Sequence, residues 1–225
     1  MSERYKYNRE GYLNENFRMF HLRDTAGQER DFHFHEFDKI VILISGSVNY
    51  MVEGTDYTLE PWDILLVRHH MIHKALIDMS VPYERIIIYI DSAYVERFAP
   101  EGGLMDCFAE AEKRRFCLMR PDRGEIEKLK DSLDRLESSI SDTEFGAELM
   151  RGTLLAQLMV QLNRIMQRDT SSKAAPAEQS GKISAALSYI NENLTGSLSV
   201  DELAAMCYLS RYHFMRLFKQ QTGCT

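Results

Sequence analysis

The sequence predicts an α+β protein built from a small β-barrel or jelly roll, a helical hairpin and a small all-α unit. Short segments rich in β-branched and aromatic residues fill the first hundred positions. An apolar period of three and four residues begins near Asp122, and a polar stretch near residue 170 separates it from a second helical pattern. We place the first domain at 1–167, with the barrel at about 1–100 and the hairpin at about 104–167, a linker at 168–181, and the all-α unit at 182–225.

The composition is that of an ordinary globular protein. Of its 225 residues 44% are hydrophobic, and 27 Lys and Arg face 34 Asp and Glu for a net charge of −7. These values exclude a disordered chain, a collagen and a disulfide scaffold. No apolar stretch approaches the roughly 18 residues of a membrane span. The first ten residues are charged where a signal peptide is hydrophobic, so we expect a cytoplasmic protein with reduced cysteines.

The barrel prediction depends on strand-like segments separated by turn signals such as Ser45-Gly46-Ser47. Many short strands at close spacing are typical of a barrel or jelly roll, whose interior either is filled by side chains or holds a ligand. The predicted strands are Arg18–Arg23, Ile40–Ile44, Val48–Val52, Tyr57–Leu59, Ile64–Val67 and Arg85–Ile90.

The hairpin prediction depends on two apolar runs broken by a Ser-Asp-Thr turn. The first run extends from Ile126 to Ile140 and the second from Phe145 to Ile165. Apolar residues surround much of the second helix, so it should bury a second face. Contact with the barrel alone can explain this, but we favour a homodimer formed through the hairpin, because a barrel and hairpin of this size rarely cover such a helix.

The C-terminal unit has the helix boundaries of a helix-turn-helix. After the polar linker, one helix is predicted from Ile183 to Leu194, and a capping box formed by Ser199 and Glu202 begins a second at Val200. Ser210 is placed to cap a third helix, which is predicted from Arg211 to about Thr222 with Gly223 after it. Two short helices joined by a tight turn favour DNA binding through the second, although a generic helical bundle shows the same pattern.

The segment SVDELAAMCYLSRYHFMRLFKQQTG resembles the first helix-turn-helix of the AraC-type transcription regulators. The resemblance covers about 45 residues and includes the Ser cap, Arg-x-Phe-Lys and the final Thr-Gly. It implies DNA contacts from Arg211, Tyr212, Met215, Arg216 and Lys219. Of these, Arg216 is the candidate for pairing with guanine and Lys219 for contacting phosphate.

The family has a second helix-turn-helix after a connecting helix, and this sequence stops two residues past Gly223. We therefore expect a truncated piece of a longer regulator. Such a piece should bind DNA weakly by itself, because one recognition helix supplies few phosphate contacts.

The barrel segment contains His33-Phe34-His35, then Lys39 and later His73. This spacing resembles the metal motifs of the cupins, in which His-x-His, a glutamate and a later histidine meet inside the barrel. His33, His35 and His73 match the three histidines, but Lys39 occupies the glutamate position. An ammonium is no metal ligand, and Asp38 or Glu36 could replace it only if the strand slipped. We therefore expect no metal and no cofactor, and assign His33, His35, Lys39 and His73 to a ligand pocket. Hydrogen-bonded interior histidines remain the alternative.

Together the two resemblances imply a transcription regulator with no catalytic residues and no enzymatic activity. Its cupin-like barrel should sense a small molecule, such as a sugar, a sugar acid or another metabolite, and an inward-facing Lys39 would favour an anionic or polyhydroxylated ligand. Its partners would be DNA, that ligand and a second copy of the chain. Two alternatives stay open: a metal-dependent cupin enzyme, and a constitutive DNA-binding protein with a ligand-free barrel.

Overall fold

The computed structural model of the chain describes residues 8–9, 11–25, 32–53, 55–78, 80–114, 116–168, 183, 186–187, 189–190, 193, 198–207 and 209–222. The expected linker after Arg168 and the expected helix end at Gly223 lie outside these residues. None of the helices among the described residues is long and apolar enough to cross a membrane.

Among the described residues, ten strands form two five-stranded sheets. One sheet has the order β1-β3-β8-β5-β6 and the other β10-β7-β4-β9-β2. Except for the parallel β1-β3 pair, neighbouring strands are antiparallel. The strands are β1 (Asn8–Arg9), β2 (Phe17–Asp24), β3 (His33–Phe34), β4 (Asp38–Ser45), β5 (Val48–Val52), β6 (Thr55–Leu59), β7 (Ile64–Val67), β8 (His73–Ile77), β9 (Tyr83–Ile90) and β10 (Leu118–Met119).

All six predicted strands are confirmed, and four strands were not predicted. Two of these, β3 and β8, carry His33 and His73, whose polarity hides the strand pattern. The turn between β4 and β5 needs Gly46, because its φ is +102° and a Cβ there would lie 2.6 Å from the carbonyl oxygen of Pro82.

Side chains of β4 and β9 alternate between two cores, as the pleat of a strand requires. Ile40, Ile42 and their partners on β9 face a helical layer on the outside of the barrel. Val41 and Leu43 face the barrel interior, where they contact the aromatic rings of the other sheet. The barrel is therefore held by one apolar core inside and a second one outside.

Four helices form the outer layer: α1 (Ser92–Glu96), α2 (Asp106–Arg114), α3 (Arg123–Ile140) and α4 (Ala147–Arg168). The predicted hairpin is α3 and α4, and a capping box of Asp122 and Glu125 begins α3. The expected hairpin range of about 104–167 also contains α2 and β10, and β10 pairs with β7 of the barrel. That range is thus not purely helical, because two residues with buried side chains, Leu118 and Met119, extend the sheet.

Near the C-terminus, α5 (Val200–Met206) and α6 (Arg211–Thr222) follow a helical segment that includes Ile183, Ala186 and Leu187. Leu203, Phe214 and Leu217 form a small separate core with that segment. The predicted starts of α5 and α6 are confirmed, since the Ser199 and Glu202 box is present and Ser210 accepts from the N–H of His213. The predicted end of the preceding helix at Leu194 lies outside the described residues. Met206, the last residue of α5, is 37% exposed.

Candidate functional site

Three buried histidines meet at one end of the barrel. β3 begins at His33 and β8 begins at His73, and the two residues are opposite each other in the pairing of these strands. The ring centroids of His33 and His73 lie 4.4 Å apart, and those of His35 and His73 lie 4.9 Å apart. One nitrogen of each ring lies within 4.8 Å of the others. The sequence pattern therefore corresponds to one cluster in three dimensions.

Lys39 lies against this cluster. Its Nζ is 3.4 Å from His73 Nε2, and both side chains are buried. The Nδ1 of His73 lies 3.0 Å from the carbonyl oxygen of Met71, which requires an N–H at Nδ1 and leaves Nε2 to accept from Lys39. Burial and the positive charge of Lys39 hold the pKa of His73 well below its ordinary value of 6.5. His73 is thus neutral and is held in one tautomer.

The residues do not fit the metal that the cupin motifs imply. Three imidazoles could supply three ligands, but the fourth position holds an ammonium within hydrogen-bond reach of the His73 nitrogen that a metal would need. The strand has not slipped, because Lys39 pairs in register with Val67 and Tyr89. The expectation of a site without metal stays a prediction, now supported by the position of this amine.

The two carboxylates considered as replacements point elsewhere. Asp38 accepts from the backbone N–H and the Nδ1 of His69, at 2.8 and 2.9 Å, and from the hydroxyl of Ser92. Burial raises the pKa of Asp38, but these hydrogen bonds outweigh it and lower that pKa overall. Glu36 is exposed. Asp38 therefore serves as a structural link between β4 and the start of α1.

A cavity of about 470 Å³ opens beside the histidines, and His33, Lys39 and His73 line one end. Volumes of 300–1,000 Å³ are typical of small-molecule sites. Of the four residues expected in a pocket, three line this cavity, while His35 stacks on Phe37 at 4.7 Å. The other lining residues are Phe20, Leu22, Asp24, Tyr50, Ala75, Ile77, Tyr83, Arg85, Ile87 and Tyr89.

The polar wall of this cavity was not predicted from the sequence. The hydroxyls of Tyr50 and Tyr83 are 3.4 Å apart, and Arg85 donates to Asp24 at 2.5 Å. The signal was present in β9, where Arg85, Ile87 and Tyr89 alternate with the isoleucines of the outer core. An alternation of this kind marks the inward face only once the strand partners are known.

The second candidate site is the outer surface of α6. Arg211, Tyr212, Arg216 and Lys219 are exposed and Met215 is half-buried, so all five residues expected to contact DNA reach solvent. Tyr212 is 80% exposed. Arg211 pairs with Asp201 of α5 at 2.9 Å, a contact that links the two helices of the motif. The surface has the basic and aromatic character that groove contacts require.

Two family models match the chain. The AraC-like ligand binding domain matches residues 19–159, and the bacterial regulatory helix-turn-helix proteins of the AraC family match residues 190–225. The HTH-type transcriptional activator RhaS of Klebsiella pneumoniae (strain 342) is 22% identical over 194 residues, which are 86% of this chain and 66% of that protein. The chain thus spans about two thirds of the length of this relative.

Solved structures overlap the chain only loosely. The AraC-like transcriptional activator CuxR is 11% identical, with 84% of this chain and 63% of that chain covered and a TM-score of 0.42. KdgF from Halomonas sp. is 24% identical, with 33% and 68% covered and a TM-score of 0.30. Overlaps this loose do not indicate what the chain binds.

The ligand-domain match alone covers more than half of the chain. The helix-turn-helix match lies after it, on the C-terminal helical unit. On this ground, the chain belongs to the AraC family of bacterial transcription regulators.

Proposed function

We propose that this chain is the sensory part and the first helix-turn-helix of a cytoplasmic regulator that binds DNA in response to a small metabolite. The observation that carries the proposal is the 470 Å³ cavity with a charged end, inside a domain of the ligand-binding type and in the same chain as a helix-turn-helix. A sugar, a sugar acid or a metabolite of similar size fits such a cavity.

The cavity favours a sensor over the two alternatives. A constitutive DNA-binding protein would be served by a filled, apolar barrel, whereas Lys39, Arg85 and Asp24 line this interior. A metal-dependent enzyme would need the lone pair of His73 Nε2 for its metal, and Lys39 Nζ lies 3.4 Å from that nitrogen. The chain is accordingly proposed to have no enzymatic activity. Its ligand would change the placement of the domains or the dimer contacts, provided that it binds one arrangement more tightly.

The proposed dimer forms through the end of the hairpin. Phe145 is fully exposed, and Leu149 and Met150 at the start of α4 are 66% and 54% exposed. Large apolar side chains that cluster at one exposed position are typical of an interaction surface. A second copy is the proposed occupant, because most soluble oligomers are symmetric homo-oligomers.

Replacing Phe145 and Leu149 by serine tests the dimer. We expect the double variant to sediment as a monomer at concentrations where the original chain is a dimer, since the contact loses its largest apolar groups. Leu76→Ser, at another exposed leucine on β8, is the matched control and should leave the dimer intact. A double variant that stays dimeric would place the interface elsewhere.

DNA recognition is tested by selecting bound sequences from a random duplex library at low salt, where few phosphate contacts suffice. We expect an enriched motif for the original chain. Arg216→Ala should lose roughly 1–3 kcal/mol of discrimination at one base position, whereas Lys219→Ala should weaken all sequences equally. If Arg216→Ala also weakened all sequences equally, Arg216 would contact phosphate only. No enrichment above the Arg216→Ala and Lys219→Ala double variant would contradict the proposed DNA binding.

A further inference from the structure

The side chain of Lys39 supplies the positive charge at the histidine cluster. The three imidazoles have the arrangement that would surround a metal ion, with one nitrogen of each within 4.8 Å of the others. Lys39 Nζ lies 3.4 Å from the Nε2 of His73, so the ammonium has taken the lone pair that a metal would use. The hydrogen bond from His73 Nδ1 to the carbonyl of Met71 fixes Nε2 as the acceptor.

This cation lies at the end of a ligand-sized cavity. Lys39 contacts the cavity together with His33 and His73, and Arg85 and Asp24 lie farther along its wall. Among the described residues that line it, two are basic and one is acidic, and that acid is bonded to Arg85 at 2.5 Å. The cavity therefore has a net positive charge, which favours an anion in surroundings of low dielectric constant.

The remaining wall indicates the body of the ligand. The rings of Tyr50, Tyr83 and Tyr89 line the cavity, and the Tyr50 and Tyr83 hydroxyls lie 3.4 Å apart. Tyrosine rings cover the apolar faces of a ligand while their hydroxyls bond to its polar groups. An ammonium has three N–H donors, so a bond to His73 is compatible with donation to a ligand oxygen.

We propose that Lys39, positioned by His73 in place of a metal ion, receives the carboxylate of an organic acid whose hydroxylated or apolar body lies along the tyrosine wall. This inference deepens the proposed sensor function and rests on it. The regulator would thus recognise an acid, such as a sugar acid, in preference to the corresponding neutral sugar. Recognition would need no metal.

Acetate, the carboxylate with the smallest apolar body, probes the site directly. The full chain is labelled with ¹⁵N in its histidine side chains and titrated with sodium acetate, with sodium chloride at equal ionic strength as the reference. We expect saturable shifts of the His33 and His73 signals with acetate only. Lys39→Met should weaken this binding roughly tenfold or more, because a charge-assisted hydrogen bond is lost, whereas Lys39→Arg should retain it.

Lys74→Met is the matched control, because Lys74 lies on β8 beside the ring of Phe32 and does not line the cavity. It should bind acetate like the original chain. An original chain without a saturable shift, or a Lys39→Met variant with an unchanged one, would overturn the proposal. Neither result bears on DNA selection, so failure of the acid site and failure of the regulator function can be told apart.

A zinc titration monitored through the same histidine signals tests whether the amine of Lys39 takes the place of a metal ion. The original chain should bind no zinc at the cluster, whereas Lys39→Glu, which restores the missing carboxylate, should bind about one ion per chain. Zinc bound by the original chain and lost in His73→Asn would overturn the proposal. A Lys39→Glu variant that takes no zinc would also count against it, since the amine would then not occupy a metal position.

Discussion

The two faces of β4 and β9 have different surroundings and different chemistry. On the outer face, Ile40, Ile88 and their neighbours are buried against the helices. On the inner face, one residue away on each strand, Lys39 and Tyr89 line the cavity. The pleat alone separates them, because successive side chains point to opposite sides. The scaffold and the binding chemistry thus share the same two strands, and neighbouring positions should respond differently to substitution.

The largest expected effect is on the outer face. Ile88→Ala should lower the free energy of unfolding by about 2–5 kcal/mol, because it leaves a cavity in a fully buried core. Urea unfolding measures the change. A variant as stable as the original chain would contradict the assignment of the outer face of β4 and β9 to the scaffold.

The contact between α1 and α4 should be nearly as sensitive. A Cβ at Gly152 would lie 2.3 Å from a ring carbon of Phe98 and 2.4 Å from the hydroxyl of Tyr94. Gly152→Ala should therefore destabilise the fold by about 1–3 kcal/mol in the same urea experiment. Gly124→Ala in α3, where the added Cβ would be in ordinary contact at 3.4 Å with the Oδ1 of Asp122, should leave stability unchanged or raise it. Equal effects of the two substitutions would contradict the close approach of α1.

The histidine cluster should make stability depend on pH. Because burial and Lys39 lower the pKa of His73 in the folded chain, only the unfolded chain takes up this proton as the pH falls below about 6.5. Stability should therefore fall on acidification, by up to about 1.4 kcal/mol per pH unit from this group. The free energy of unfolding, measured in urea between pH 7.5 and 5, should depend less steeply on pH in His73→Asn than in the original chain. Identical slopes for the original chain and for His73→Asn would contradict this origin.

The smallest effect on stability is expected at Lys39. Lys39→Met keeps a side chain of similar length and removes a buried charge. The free energy of unfolding should therefore change by less than about 1.5 kcal/mol. Acid binding should nevertheless weaken roughly tenfold or more. A loss of stability comparable to that of Ile88→Ala would make Lys39 part of the scaffold, and the contrast between the two faces would disappear.

Much of the fold could be predicted from the sequence because its signals are local. The capping box at Ser199 predicts the start of α5, and the apolar period that begins near Asp122 predicts α3; both helices are present. Two of the four strands that were missed, β3 and β8, owe their pairing to partners distant in the chain. Local propensity therefore could not find them.

The candidate site could be predicted only in part, for the same reason. His33, Lys39 and His73 were identified through a spacing that resembles a known motif, and they do line one cavity. Arg85 and Tyr83 lie about ten residues farther along the chain than His73, and the alternation in their own segment does not tell which of its two faces is the inward one. Their role depends on the register of β9 against β2 and β4, which only the assembled barrel defines.

The central claim is that the barrel is a sensor of an organic acid that works without metal. Mass spectrometry of the purified chain, native and then denaturing, tests it most directly, since the difference between the two spectra reports every non-covalent ligand. We expect a dimer that holds no divalent ion and releases an organic acid on denaturation. If dialysis has removed the acid, the dimer should take up added acid and no zinc. One tightly held metal ion per chain, removed by His33→Asn, would contradict it.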